Sequence, residues 1–208
     1  MSVDQVDKER IGVLGICASG GYVCTATQTD LRIKSVATVS AVCTGVMARE
    51  GLPKGTSNLD VLRTQLAAAA KDRNDEVKGS QPSYVHLLPE TLEDAPPDLP
   101  TAFRDFANYY RTSRGSHPRS RNQVLPRSWE IMATYDAFGF NSFISPRPLL
   151  MIVGSKAESK NYSEDALALA NDPKELFVVQ DKTHADLYDD YHGALPKLVS
   201  FFEGSLVQ

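Results

Sequence analysis

Four short runs of apolar, mostly β-branched residues punctuate the chain: Ile11–Ile16 (IGVLGI), Ser35–Ser40 (SVATVS), Leu149–Gly154 (LLMIVG) and Glu175–Gln180 (ELFVVQ). They are near-continuous rather than alternating, the pattern of strands buried on both faces of a parallel sheet. Helical patterns follow three of them, at Gly20–Thr29, Ser163–Ala170 (SEDALALA) and Gly193–Phe202. Strand, helix and strand in succession predict an α/β fold, a mostly parallel sheet with right-handed crossovers. Ser163, followed by Glu164 and Asp165, reads as a capped helix start, and Asn171-Asp172-Pro173 as the stop.

Residues 43–142 have a different character. LDVLRTQLAAAAKD, TAFRDFANYYRTSRG and SWEIMATYDAF carry helical patterns, separated by the proline-rich Pro89–Pro100 and the basic SHPRSRNQ. The segment reads as a cap of two or three helices inserted into an α/β core made of residues 1–42 and 143–208. Arginines recur along Arg111–Arg121, but Ser, Gly, Pro and Asn interrupt them, so a solvated loop is expected there. Ala67–Ala70 expresses helix propensity alone.

Composition narrows the function classes. A chain of 208 residues, 42% hydrophobic and 23% charged, suits one domain with a sizeable insertion. A net charge of −4 offers no electrostatic reason to bind nucleic acid or an anionic membrane. No apolar run approaches the roughly 18–20 residues of a membrane span, and MSVDQVDKER is too polar for a signal peptide. Three cysteines without CxxC or metal-ligand spacing point to free thiols in a reducing cytoplasm, with no metal or cofactor expected.

The stretch RIGVLGICASGGY stops a strand at small residues and continues as a helix, the setting of a nucleophile elbow. Both Cys17 and Ser19 have small residues two positions away on either side. Strand length favours Cys17, which falls directly at the end of IGVLGI; Ser19 would drag Cys17 and Ala18 into the strand. A thiol also gains from a helix N-terminus and a nearby imidazole, which favour the reactive thiolate. Cys24 and Cys43 read as buried structural residues.

A thiol nucleophile needs a base and an acid to orient it. His184 follows the fourth strand and Glu158 the third, so Cys17, Glu158 and His184 share the carboxyl edge of the sheet, where open α/β folds carry their ligands. Asp136, Asp181 and Asp186 compete with Glu158; Asp186 also suits a helix cap. His86, His117 and His192 are weaker candidates for the base. Tyr109, Tyr110, Trp129 and Phe138 suit either an apolar pocket or core packing.

ERIGVLGICASGGY, SPRPLLMIVGSKAES, YSEDA, KELFVVQDKTHADLYD and the terminal VSFF resemble the dienelactone-hydrolase-like branch of the α/β-hydrolase superfamily. The resemblance implies an esterase, lactonase or thioesterase with a Cys17–His184–Glu158 triad and the Ala18 N–H in the oxyanion hole. It also implies a small-molecule substrate. Ser19 stands where the family pattern has glycine, and Glu158 where it commonly has aspartate. The family's sheet normally has strands ahead of the elbow strand, so a partial fold with an apolar edge open to self-association is a further expectation. Two alternatives stand beside hydrolysis: a weakly active or inactive fold serving as a binding module, and an acyltransferase using the same triad.

Overall fold

The computed structural model describes residues 3–207. Strand β1 (Ile11–Ile16) leads through α1 (Ala18–Thr29) to β2 (Ile33–Val39), and α2 (Thr44–Glu50) and α3 (Leu59–Val77) follow. Next come the short β3 (Val85–His86), α4 (Thr101–Tyr110), the short β4 (Gln123–Val124), α5 (Ser128–Thr134) and a 3₁₀ turn at Asn141–Phe143. The chain closes with β5 (Leu149–Gly154), α6 (Lys160–Ala168), β6 (Lys174–Val179), α7 (Asp186–Asp189) and α8 (Leu195–Leu206). Two compact units result, one holding the chain up to Cys43 and from Asp136 onward, the other Thr44–Tyr135.

The first unit is built on a parallel sheet in the order β1-β2-β5-β6. β2 and β5 are its centre, and every residue of β5 is buried. Ala37, Val39, Leu150 and Ile152 form a core with Val179, Leu187 and Ala194, against which Leu198, Phe201 and Phe202 of α8 pack. Each fully buried large aliphatic side chain there stabilises the fold by about 1.5–3 kcal/mol. β1 is an edge strand, and Leu14 and Ile16 on it are each 44% exposed.

All four apolar runs are strands and the fold class is α/β with a parallel core sheet, as the pattern predicts. Helix boundaries differ more. α6 begins at Lys160, not Ser163: Ser163 is fully buried inside the helix, its hydroxyl without a hydrogen-bond partner among the described residues. The start is made instead by the Ala157–Ser159 turn, where Lys160 N–H donates to Ala157 O at 3.0 Å. α1 starts two residues earlier than expected, and α8 runs on to Leu206.

The second unit holds four helices where two or three were expected, plus an antiparallel pair joining Val85 to Val124 and His86 to Gln123. Asn58 caps α3 by accepting from the N–H groups of Asp60 and Val61. Arg49 of α2 donates to the carbonyls of Ala133 and Tyr135 at 2.8 and 3.0 Å, tying α2 to the end of α5. Arg111 pairs with Glu90, and the Arg114 guanidinium lies 5.6 Å from the Tyr109 ring centre, so the basic segment is partly consumed in local structure.

Candidate functional site

β1 ends at Ile16, and Cys17 makes the turn into α1 with φ 57° and ψ −125°, a conformation L residues rarely adopt. Such strain persists only where surrounding bonds enforce it. Here Cys17 N–H donates to Val39 O at 3.0 Å, and Cys17 O accepts from Gly20 and Val42 at 2.9 and 3.1 Å. The turn is tight enough to exclude side chains: a Cβ on Gly15 would lie 2.3 Å from Ser19 O, and one on Gly21 2.7 Å from Val42 O.

The Cys17 thiol is half-buried. Burial pushes it up, and the Tyr188 hydroxyl and the Ala18 N–H pull it down. The start of α1, with its unsatisfied N–H groups, adds a field that favours a thiolate. Ser19 is engaged differently: its hydroxyl accepts from Ile16 N–H at 2.7 Å and donates to Ile16 O at 2.6 Å. It closes the elbow from the helix side. Cys24 is fully buried and pushed up to about 12, and Cys43 Sγ accepts from Ala137 N–H at 3.2 Å.

His184 lies on the loop between β6 and α7, and several contacts press that loop against the strand ends. Ser40 Oγ donates to His184 O at 3.0 Å, and Lys156 N–H to Lys182 O at 2.9 Å. A Cβ on Gly154 would meet Lys182 O at 2.1 Å, so only glycine lets the loop lie so close to β5. Asp186 accepts from Thr183 N–H at 3.0 Å and Thr183 Oγ1 from Asp186 N–H at 3.3 Å, a reciprocal pair that closes the loop carrying the histidine.

The imidazole is 2% exposed. Its Nδ1 lies 2.5 Å from Ser159 Oγ and its Nε2 2.7 Å from Tyr188 Oη. Burial pulls His184 down from 6.5 to about 4, so the ring is neutral at pH 7. His184 is therefore held between Ser159 and Tyr188.

Glu158 is half-buried and immediately precedes Ser159 on the turn after β5. The three competing carboxylates have structural duties. Asp136 accepts from Phe138 and Gly139 N–H, Asp181 pairs with Lys156 at 2.9 Å, and Asp186 bonds Thr183 as just described. His86 lies 3.0 Å from Glu90, His117 Nδ1 accepts from Arg119 N–H, and His192 is exposed. Phe138 is buried in the first unit, while Tyr109 and Tyr110 meet edge to face in the second.

Sequence reasoning missed Ser159 and Tyr188. Tyr188 had a signal: it stands four residues after His184 where the chain becomes helical, the spacing that brings two side chains together on one face. Ser159 had none beyond its place next to Glu158. Among the described residues, no cluster of three or more His, Cys, Asp or Glu is arranged to hold a metal ion. No helix among them is long and apolar enough to cross a membrane.

The fold is that of the α/β hydrolases. GrgF, an α/β hydrolase from Penicillium sp. sh18, superposes with a TM-score of 0.78 at 19% identity, over 98% of this chain and 66% of its own. More narrowly, the chain belongs to the family of the uncharacterized protein YcjY of Escherichia coli K12, to which it is 32% identical over 209 residues, 99% of this chain and 67% of YcjY. PA2218 of Pseudomonas aeruginosa is 35% identical over 89% of this chain and 49% of its own length. The PA2218 crystal structure superposes with a TM-score of 0.89 at 30% identity, over 98% of this chain and 63% of that one. The chain thus spans about half to two thirds of the length of these two curated relatives. No family model matches the sequence.

Proposed function

We propose that the protein is a hydrolase of the dienelactone-hydrolase-like kind, cleaving a carboxylic ester, lactone or thioester of a small molecule through an acyl-Cys17 intermediate. One observation carries the reading. Cys17 occupies the strained strand-to-helix turn at the start of α1, while Ser19 spends its hydroxyl on Ile16.

In this reading the Cys17 thiolate attacks the substrate carbonyl carbon, and the carbonyl electron pair moves to oxygen. The Ala18 N–H, next after the nucleophile, donates to that oxyanion, a contact whose loss typically costs about 10²–10³ in turnover. His184, neutral at pH 7, takes the thiol proton and returns it to the leaving alkoxide or thiolate. It then draws a proton from water, which attacks the acyl carbon and releases the carboxylic acid and Cys17. Ser159 holds the imidazole at Nδ1. Glu158, beside it in the chain, supplies the carboxylate that favours the transient imidazolium. The chemistry calls on no metal and no cofactor, and a reducing cytoplasm suits a free nucleophilic thiol.

The test is hydrolysis of p-nitrophenyl butyrate with mass analysis of the quenched enzyme. Wild-type protein is expected to show a burst of nitrophenol and a butyryl adduct on Cys17. Cys17→Ala should lose at least about 10³-fold in kcat. Ser19→Ala should retain turnover within a few-fold and lose about 1 kcal/mol of stability, the worth of its hydrogen bonding to Ile16. Undiminished turnover in Cys17→Ala overturns the proposal.

A further inference from the structure

We propose that the amino edge of the sheet carries a second small-molecule site, a cleft that binds an organic carboxylate with an apolar body. The inference stands apart from the hydrolase reading and uses none of its residues. The cleft has a volume of about 720 Å³, within the range of small-molecule sites. One wall comes from the residues that lead into the strands. Arg10 precedes β1, Lys34 lies at the start of β2, Arg147 and Pro148 lead into β5, and Pro173 precedes β6. Phe201, Gly204 and Leu206 of α8 line the other side. All of them belong to the first unit. Because the strands are parallel, the length of β2 separates this cleft from the Cys17 edge by roughly 20 Å.

Charge and donors identify the ligand. Arg10 spends its charge on Asp7 at 2.6 Å, whereas Lys34 and Arg147 bond to backbone carbonyls. Lys34 Nζ donates to Leu31 O at 3.3 Å, and an ammonium has two further N–H groups to offer. The Arg147 guanidinium donates through Nε to Ile144 O at 3.1 Å and through Nη2 to Phe143 O at 3.2 Å. Its Nη1 donates to Asp30 O and Ile33 O at 2.9 and 3.1 Å. These bonds fix the cation in place before any ligand arrives, which lowers the cost of binding. Glu9 and the C-terminal end of α8, worth about half a negative charge, oppose the two cations. The surplus is positive and small, which suits a carboxylate rather than a dianionic phosphate. The remaining wall is apolar: Phe201 and Leu206 are half-buried, and Pro146, Pro148 and Pro173 have no N–H to offer. That wall calls for an apolar body behind the charged group.

Isothermal titration calorimetry at pH 7.5 tests the site with 2-naphthoate, its neutral counterpart 2-naphthamide, and inorganic phosphate. Wild-type protein should bind naphthoate in saturable fashion, and the amide and phosphate at least about tenfold more weakly. Lys34→Met keeps the aliphatic stem and removes the charge. It should weaken naphthoate at least about tenfold, the worth of a charge-assisted hydrogen bond. Gly204→Phe fills the cleft instead. A Cβ at Gly204 meets nothing within 4 Å, and replacing a helical glycine favours the helix, so this variant keeps the fold. It too should weaken naphthoate at least about tenfold, and it decides alone should Lys34→Met fail to fold. Absence of saturable naphthoate binding to wild type overturns the proposal, as does equal affinity for the amide or for phosphate. Undiminished naphthoate binding in Gly204→Phe overturns it as well, since the ligand then sits elsewhere. Undiminished ester turnover in Cys17→Ala would refute the hydrolase reading and leave this site standing.

Discussion

Burying a neutral histidine leaves a mark on stability that does not depend on catalysis. In the unfolded chain His184 takes up a proton below pH 6.5, whereas in the folded protein it does so only near pH 4. Between those values the unfolded state binds more protons, so falling pH favours unfolding. His184's contribution is fully present above pH 6.5, is lost progressively as the pH falls to about 4, and changes no further below that. At about 1.4 kcal/mol per pH unit, the interval from 6.5 to about 4 amounts to about 3 kcal/mol. Urea unfolding followed by far-UV circular dichroism at half-unit steps from pH 4 to pH 8 reads this directly. His184→Asn keeps a polar side chain of similar reach but cannot titrate. Its stability curve should therefore be flatter than wild type's by about 3 kcal/mol over that interval, with the two curves parallel above pH 7. Equal slopes in the two proteins would refute the claim that the imidazole is held neutral by burial.

Two further substitutions probe the supports of the site. Gly15→Ala places a Cβ 2.3 Å from Ser19 O, and it should cost about 1–3 kcal/mol in chemical denaturation and lower ester turnover by displacing the elbow. Ser159→Ala removes the oxygen at His184 Nδ1, and kcat should fall about tenfold with KM unchanged, because the hydroxyl orients the base without touching substrate.

The two central strands were legible because they are buried on both sides and so had to be written as unbroken apolar runs; β5, with six buried residues, is the clearest case, whereas β1 and β6 keep the apolar run while leaving several residues exposed. The elbow was legible for a steric reason, since Gly15, Gly20 and Gly21 stand where the backbone has no room for a side chain. The start of α6 was not, because Ser163-Glu164-Asp165 has the composition of a cap while packing had already claimed Ser163 for the interior. The helices of residues 44–135 blurred together because their apolar faces are narrow: α3 buries only Leu62, Ala69 and Asp72 over 19 residues. Within the site, the partners of Cys17 and His184 depend on how two loops fold back over the strand ends. A serine or tyrosine on a loop does not announce such a contact in advance.

The place of β2 in the sheet has a consequence for how the chain is made. β2 is almost wholly buried, and its neighbour on the side away from β1 is β5, paired from Val36↔Leu149 to Val39↔Ile152. The two strands are separated by about 110 residues, from Val39 to Leu149. At about 5–20 residues per second, a ribosome takes roughly 5–20 s to cover that distance. Throughout that interval β1, α1 and β2 have emerged while one hydrogen-bonding edge of β2 still lacks its partner strand. The slow step in folding is then the closing of β2 against β5 across the finished helical unit, a contact of high sequence separation. During synthesis, the segment most in need of protection by a chaperone is the run Val36–Val39, which in the folded protein is buried at every position.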